Sequence, residues 1–576
     1  MTKVSVNLNG EIVEADAGEM IIDVARRNGI NVPHLCWNVQ FERIGACRIC
    51  VVEVEGSPKL IASCSTPVRP GMVIKTHTPR VLDARRTNLE LLLANHDLNC
   101  TMCAKNLKCR LQEYAHDFMI QEIPYTGKRK LEEVDRSSPS IVRDNNKCIL
   151  CEQCVQACNK VQTVYAIGLQ NRGFKTRVAP PLDENMNESA CVNCGQCVVA
   201  CPTGALTEKS SINEVVAALN SGKYLIAQTA PSVRATLGEC FGLPPGIPVT
   251  GQMVSALRDL GFNQVFDTNF AADITIIEEG TEFIKRFNEN RDLPMITTCC
   301  PAWIKFAEQF YYQELHHMSS CRSPQAILAS LVKTYYAQKI GKDPKDIVLI
   351  DIMPCTAKKF EILRPEFKGE ADYVLTTVEL AKLIKQYSID FLNLPSSSFD
   401  SPMGESTGAA DIFGQTGGVM EAALRSVADL MSGEDLPSFE YTQVRGMNTV
   451  KEAEIEVAGK KIKVCIAHTL GEARKLMDQI RAGKSPYHFI EIMACYGGCI
   501  GGGGQPGPHR TEILEKRASA LRKEDTGKKL RKSHQNPDVL RLYKEYLGEF
   551  GGEKAHKLLH TSYTNRCIIR DDKTTV

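Results

Sequence analysis

Three short stretches in the second half of the chain place cysteine in a turn: Thr297-Thr298-Cys299-Cys300-Pro301, Met353-Pro354-Cys355-Thr356-Ala357-Lys358, and Met493-Ala494-Cys495-Tyr496-Gly497-Gly498-Cys499-Ile500 followed by Gly501 to Gly504. Each follows an apolar, strand-like run, at 293–296, 347–352 and 489–492. Ligands collect outside the carboxyl ends of parallel strands, so three such loops can converge on one buried site. Four or five thiols there suit a metal cluster. Any one of these cysteines alone reads equally well as a small core residue.

The first half repeats the theme with other spacings. Cys36, Cys47, Cys50 and Cys64 stand at C-x10-C-x2-C-x13-C. Four thiolates on one loop system suit a [2Fe-2S] cluster, with structural zinc as the alternative. His96, Cys100, Cys103 and Cys109 form H-x3-C-x2-C-x5-C. Cys148, Cys151, Cys154 and Cys158, then Cys191, Cys194, Cys197 and Cys201, are two copies of the bacterial ferredoxin run, the second closed by Pro202. In such pairs the fourth cysteine crosses to the other cluster. One [4Fe-4S] cluster is therefore expected on Cys148, Cys151, Cys154 and Cys201, the other on Cys191, Cys194, Cys197 and Cys158; paired zinc knuckles are the alternative. These sets use 19 of the 24 cysteines. Cys240, Cys321 and Cys465 read as buried small side chains, Cys567 lies near the chain's end, and Cys299 is left beside a ligand.

The elements that must hold these loops are legible around them. Val4 to Leu8 and Glu11 to Ala15 flank Asn9-Gly10, a dipeptide that favours a hairpin turn with positive φ. A helix follows through Met20 to Arg27 with Gly29 placed to end it, and another runs through Val81 to Leu93. From about residue 210 apolar strands alternate with helices, as at 223–228, 346–352 and 462–467, which argues for an α/β fold with parallel sheets. After Arg510 the chain is strongly charged and helix-like, and reads as a surface-packed tail without chemistry of its own.

At 576 residues the chain is too long for one core. Sixty-nine basic against 68 acidic side chains give a formal charge of +1, which implies neither nucleic acid nor an anionic membrane surface as partner. No run of about 18 apolar residues is present to span a bilayer, and the first residues lack a signal peptide's apolar stretch. A cytoplasmic protein is expected. So many thiols in a reducing compartment argue for metal ligation over disulfides.

The strings TTCCPAW, MPCTAKK and EIMACYGGCIGGGGQP resemble the three signature motifs of the iron-only, or [FeFe], hydrogenases, in the same order. The hairpin, helix and first cysteine set resemble the β-grasp ferredoxin module at the front of larger hydrogenases and of the large iron-sulfur subunit of NADH dehydrogenase. The H-x3-C-x2-C-x5-C set resembles their His-ligated [4Fe-4S] cluster. The resemblance implies a multidomain α+β and α/β protein: a [2Fe-2S] module over 1–80, a His-ligated [4Fe-4S] module over 81–126, a 2[4Fe-4S] ferredoxin-like module over 127–209 and a catalytic domain over 210–576.

It also implies the H-cluster, in which Cys300, Cys355, Cys495 and Cys499 hold a [4Fe-4S] cube and Cys499 bridges to a two-iron centre with carbonyl, cyanide and dithiolate ligands. One [2Fe-2S] and three accessory [4Fe-4S] clusters complete the set. Lys358 is the expected cationic donor to cyanide, Pro231, Ser232 and Gln325 line the site, and Met353 and Met493 cover the two-iron centre. Gly501 to Gly504 are expected to let backbone approach that group. Glu279, Glu282 and Arg286 share one helical face. By resemblance Cys299, Glu279, Ser319, Glu282 and Arg286 form the family's proton relay; without it, the face reads as solvated charge.

The implied activity is 2H+ + 2e− ⇌ H2, with electrons exchanged with ferredoxin or another low-potential carrier. The alternative is the hydrogen-forming subunit of an NAD(P)-linked, electron-bifurcating complex; with no G-x-G-x-x-G fingerprint placed immediately between a strand and a helix, nucleotide chemistry would belong to flavin and iron-sulfur partner subunits. Maturation proteins would install the two-iron centre. A hydrogenase-like cluster-assembly protein and an electron-transfer subunit of NADH dehydrogenase are the competing classes. Cys299 with the CIGGGG loop counts against the first, and the three late loops against the second.

Overall fold

Asn9 and Gly10 both take positive φ, +56° and +99°, and turn the strand Lys3–Leu8 back along Glu11–Asp16 in antiparallel register. In this computed structural model, which describes residues 2–125, 127, 129–437, 439–457 and 459–567, the hairpin opens the first of two compact units. That unit comprises Met1–Lys160, Tyr165–Ser189 and Ala200–Thr207; the other comprises Val161–Val164, Ala190–Val199 and Glu208–Val576.

In the first unit a five-stranded mixed sheet runs in the order Glu11–Asp16, Lys3–Leu8, Val73–Lys75, Val51–Val54, Ile61–Ala62. The helix Ile21–Arg27 lays Ile21, Ile22, Val24 and Ala25 on it, against Val6, Leu8, Val52 and Ile74. Gly29, at φ +76°, lies just beyond its end. The helix Pro79–Ala94 starts where the Thr78 hydroxyl accepts from Val81 N, and buries Val81, Arg85, Leu89 and Leu93, a stripe at four-residue spacing.

The second unit is built on two four-stranded sheets. In the first, Gln264–Asp267, Tyr224–Thr229, Ile347–Met353 and Tyr373–Thr376 are all parallel. All seven residues of Ile347–Met353 are buried, as a central parallel strand covered on both faces requires. The second sheet orders Met295–Ile296, Phe489–Met493, Lys460–His468 and Val450–Val457. Its first three strands are parallel and Val450–Val457 is an antiparallel edge, a departure from the all-parallel expectation that the short hairpin to Lys460–His468 explains.

The 22-residue helix Thr268–Glu289, capped by the Asp267 carboxylate accepting from Asn269 N, buries its first half completely and carries Glu278, Glu279, Glu282 and Arg286 in its second. The charged segment after Arg510 is embedded, against expectation. Thr511–Gly527 buries Leu514, Arg517, Ala518 and Leu521, and Glu553–Leu559 buries Ala555 and Leu559. Its charged residues include internal ion-pair partners, which composition alone does not distinguish from solvated ones. No helix among the described residues is long and apolar enough to cross a membrane.

Candidate metal-cluster and proton-transfer site

The strand Met295–Ile296 leads to Cys299 and Cys300, Ile347–Met353 to Cys355, and Phe489–Met493 to Cys495 and Cys499. Two sheets, rather than one, aim their carboxyl ends at the same place. Cys300, Cys355, Cys495 and Cys499 are close enough for mutual charge repulsion. Burial pushes the Cys355 thiol up to about 12 and Cys300 adds to it; Cys495 rises further through burial, then Cys355 and Cys300. Cys499 is raised by burial and the same two neighbours. Four thiols that cannot ionise together unaided are the donor set a polycation stabilises.

Lys358 enters from the helix Ala357–Glu361, buried, with Nζ donating to Ser323 Oγ (2.8 Å) and Glu361 Oε2 (2.7 Å). Burial works against its charge, but Glu361 more than offsets this and holds it protonated, near enough to feel Cys355 and Cys299. Gln325 sits in the first turn of Pro324–Leu331, its Oε1 buried without a hydrogen-bond partner. Pro231 and Ser232 open the short helix Pro231–Arg234, and Met353 and Met493 end their strands; all four are buried.

The glycine run has a different cause from the one expected. A Cβ at Gly501 would lie 2.1 Å from the Tyr496 carbonyl oxygen, at Gly502 2.3 Å from that of Pro354, and at Gly503 2.7 Å from that of Cys194. The protein's own backbone crosses there, which requires glycine whatever the loop binds. Gly502→Ala should therefore cost about 3 kcal/mol or more through overpacking against a carbonyl that cannot move freely. A lowered thermal midpoint with reduced iron uptake is the expected result; parental values for both would contradict it.

Glu279 is wholly buried. Its Oε1 lies 3.5 Å from Thr298 Oγ1, which itself donates to the Cys321 carbonyl at 2.7 Å, and its Oε2 has no partner. Burial pushes its carboxyl up to about 8, against the opposing hydrogen bonding of Ser319. Ser319 Oγ donates to Glu282 Oε2 (3.3 Å), and Glu282 Oε1 accepts from Arg286 Nη2 (2.6 Å). At the other end, burial raises the Cys299 thiol and the Glu279 charge raises it further. Ser319, Glu282 and Arg286 are thus joined by hydrogen bonds, and Glu279 lies near enough to Cys299 for its charge to act there.

In the first unit Cys148, Cys151, Cys154 and Cys201 line one small cavity. The thiols of Cys36, Cys47, Cys50 and Cys64 lie within hydrogen-bonding reach of one another: Cys36 is held down by Cys47 and Cys64, and Cys64 is held up by Cys36 and Cys50. Burial, then the neighbouring Cys103, raises Cys100, burial with Cys103 and Cys100 raises Cys109, and burial lowers His96 to about 4, leaving a neutral imidazole whose buried Nδ1 has no partner. Neutral imidazole is the form that ligates metal. Cys191, Cys194 and Cys197 belong to the second unit, whereas Cys158 belongs to the first. All 24 cysteines are free of disulfides.

Comparison with known proteins decides between the remaining classes. Residues 223–503 match the family model for the iron-only hydrogenase large subunit, C-terminal domain, and 511–566 that for the iron hydrogenase small subunit. The NADP-reducing hydrogenase subunit HndD of Solidesulfovibrio fructosivorans is 48% identical over 98% of this chain and 100% of its own length. The chain belongs to the iron-only hydrogenases. Iron hydrogenase 1 of Clostridium pasteurianum is 41% identical over 97% of this chain and 99% of its own. A solved [FeFe]-hydrogenase of Chlamydomonas reinhardtii is 40% identical with a TM-score of 0.56, covering 62% of this chain and 99% of that one. Ahead of the catalytic domain, 1–79 match a 2Fe-2S cluster binding domain, 85–124 the NADH-ubiquinone oxidoreductase-G iron-sulfur binding region, and 147–205 a 4Fe-4S dicluster domain.

The hydrogenase therefore carries iron-sulfur clusters and the H-cluster, and its residues fit them: clustered buried thiols and the Lys358 ammonium at the same loops. Several residues that position the site carry no sequence signal. Gln505 Nε2 donates to Ser232 Oγ and to the Cys499 carbonyl (both 3.3 Å). His468, lowered to about 4 by burial, accepts from Gly497 N at 3.0 Å with Nδ1 and faces the Asn448 carbonyl with Nε2. Arg517, from the supposed tail, donates to the Ile500 and Pro506 carbonyls (2.8 and 2.6 Å) while paired with Glu239. Gln505 adjoins the CYGGCIGGGG loop in sequence, whereas His468 and Arg517 reach it from 29 residues before Gly497 and 17 after Ile500, and no period or spacing announces either.

Proposed function

We propose that this hydrogenase forms and oxidises H2 at an H-cluster held by Cys300, Cys355, Cys495 and Cys499, with Cys499 shared between cube and two-iron centre. The observation that carries this is the convergence of those four thiols, from two sheets, beside Cys299. When bound, the group supplies the low-valent iron at which H2 is made or split. The chain's residues bind it and move the proton. Lys358, kept cationic by Glu361, and the Gln325 amide are fixed donors for its polar ligands. Met353 and Met493 exclude water around it. Cys299 passes the proton to Glu279, and Ser319 and Glu282 carry it on to Arg286.

Electrons travel through one [2Fe-2S] and three accessory [4Fe-4S] clusters on the cysteine sets named above and His96. The corresponding modules are a β-grasp domain over 1–80, a His-ligated [4Fe-4S] domain over 81–126, a 2[4Fe-4S] domain over 127–209 and the catalytic domain over 210–576. A low-potential carrier such as ferredoxin exchanges electrons in the cytoplasm.

The full-length likeness to an NADP-reducing hydrogenase subunit favours a second reading, in which partner subunits bind NADP. Purification from the native cell decides between them. A stoichiometric flavin- and nucleotide-binding partner, with H2-dependent NADP reduction, supports the complex; a single chain active with ferredoxin alone supports the first reading. Infrared bands from bound carbonyl and cyanide in the matured protein test the H-cluster assignment itself, and their absence from active protein would contradict it.

A further inference from the structure

The relay leaves unused a third carboxylate on the same helix. Glu278 is fully buried, next to Glu279 in sequence but on another face. Its Oε2 lies 2.8 Å from Nε2 of His560, and its Oε1 accepts from the Tyr543 hydroxyl and, at 3.2 Å, from Gly551 N. The other nitrogen of His560, Nδ1, lies 2.8 Å from Ser320 Oγ. Ser320 Oγ in turn lies 3.0 Å from Glu282 Oε2.

His560 is held there by backbone. Arg322 N donates to the Leu559 carbonyl and Thr561 N to that of Ser320, both at 2.8 Å, so Cys321 and His560 face each other in an antiparallel bridge. Arg322 Nε adds a bond to the His560 carbonyl at 3.0 Å. An unbroken hydrogen-bonded line thus runs from the relay carboxylate, through a hydroxyl and an imidazole, to a second buried carboxylate.

We propose that Ser320, His560 and Glu278 form a second arm of the proton relay, joining the Arg286 arm at Glu282 and supplied by the segment that matches the small-subunit model. It rests on the Glu279–Glu282 relay proposed above. The step balances simply. His560 as imidazolium gives its Nδ1 proton to Ser320 Oγ while the Ser320 hydroxyl proton passes to Glu282 Oε2, leaving serine neutral, Glu282 protonated, and imidazole with its Nε2–H on Glu278. The reverse transfer, from Glu282 through Ser320 to Nδ1, restores the imidazolium, so the arm holds one proton in reserve beside the relay; His556 is exposed and stacked on the His560 ring face with centroids 4.6 Å apart. No electron moves.

The groups that set the charge of this arm are Glu278 and Glu282 from the long helix, Tyr543 on Glu278, His556, and Arg322 with its partner Glu370 at 2.9 Å. The serine–histidine–carboxylate connectivity is that of a hydrolase triad. Here, however, the serine's remaining partner is a carboxylate, which suits handing on a proton and not attacking a carbonyl.

The test uses the matured full-length enzyme with reduced methyl viologen. His560→Gln should lower H2 evolution about fivefold, less than the 10²–10⁴ that a sole general acid–base group contributes, because the Arg286 arm remains. It should also change the shape of the pH profile while leaving iron content and infrared bands parental. Ser320→Ala, which cuts the line but leaves His560 in place, should change the profile in the same way and covers the case in which His560→Gln takes up no iron. Glu279→Gln runs beside them. If Glu279→Gln stays active, the relay and this arm both fall; if it is inactive while Ser320→Ala keeps the parental rate and profile, only the second arm falls.

Discussion

Glu279→Gln should reduce H2 evolution by about 10²–10⁴-fold, the usual contribution of a positioned acid–base group, while iron content and infrared spectrum remain those of the parent. The amide has the size and shape of the carboxyl, so the buried site loses a transferable proton and little packing. Glu279 stands between Cys299 and Ser319, and its carboxyl, raised to about 8 by burial, is protonated at neutral pH yet close to giving that proton up. A carboxyl kept at its ordinary value would be ionised there and could accept from Cys299 but hardly return a proton to it. The sign follows: below about 8 the acid form predominates, and H2 evolution by the parent should fall as pH rises through that region. Near-parental turnover of Glu279→Gln would remove this path.

Cys499→Ala should abolish activity and the carbonyl and cyanide infrared bands together, while the paramagnetic signals of the accessory clusters persist. The accessory ligands of the first unit lie in a different compact unit from Cys499, and the Cys499 loop is held by Gln505 and Arg517, which contact it through backbone carbonyls of Cys499 and Ile500. Removing the sulfur therefore removes a ligand without removing the loop's supports. A matured Cys499→Ala protein that kept the bands would show that the two-iron centre does not depend on that thiolate.

Much of the site is legible in the sequence because the chemistry is local. The C-x2-C-x2-C-x3-C runs, the Asn9-Gly10 hairpin and the apolar strands before each cysteine loop are short-range patterns, and the structure repeats them. What is not legible arises from contacts between distant residues. That the loops issue from two sheets depends on pairing between strands more than a hundred residues apart, such as Tyr224–Thr229 with Ile347–Met353. Glycine is required at 501–503 by carbonyls of Tyr496, Pro354 and Cys194 crossing behind them. The charged C-terminal segment looks solvated by composition, yet Arg517 and His560 lie inside, paired with Glu239 and Glu278. A buried charge and an exposed one are the same letter until the partner is known.

Diffraction from the matured protein at the iron absorption edge tests the core of this account most directly. Strong anomalous density for a four-iron cube among Cys300, Cys355, Cys495 and Cys499, with two further irons on the Cys499 side next to Cys299, is the predicted result. A single peak at those thiols, strong at the zinc edge and weak at the iron edge, would contradict it.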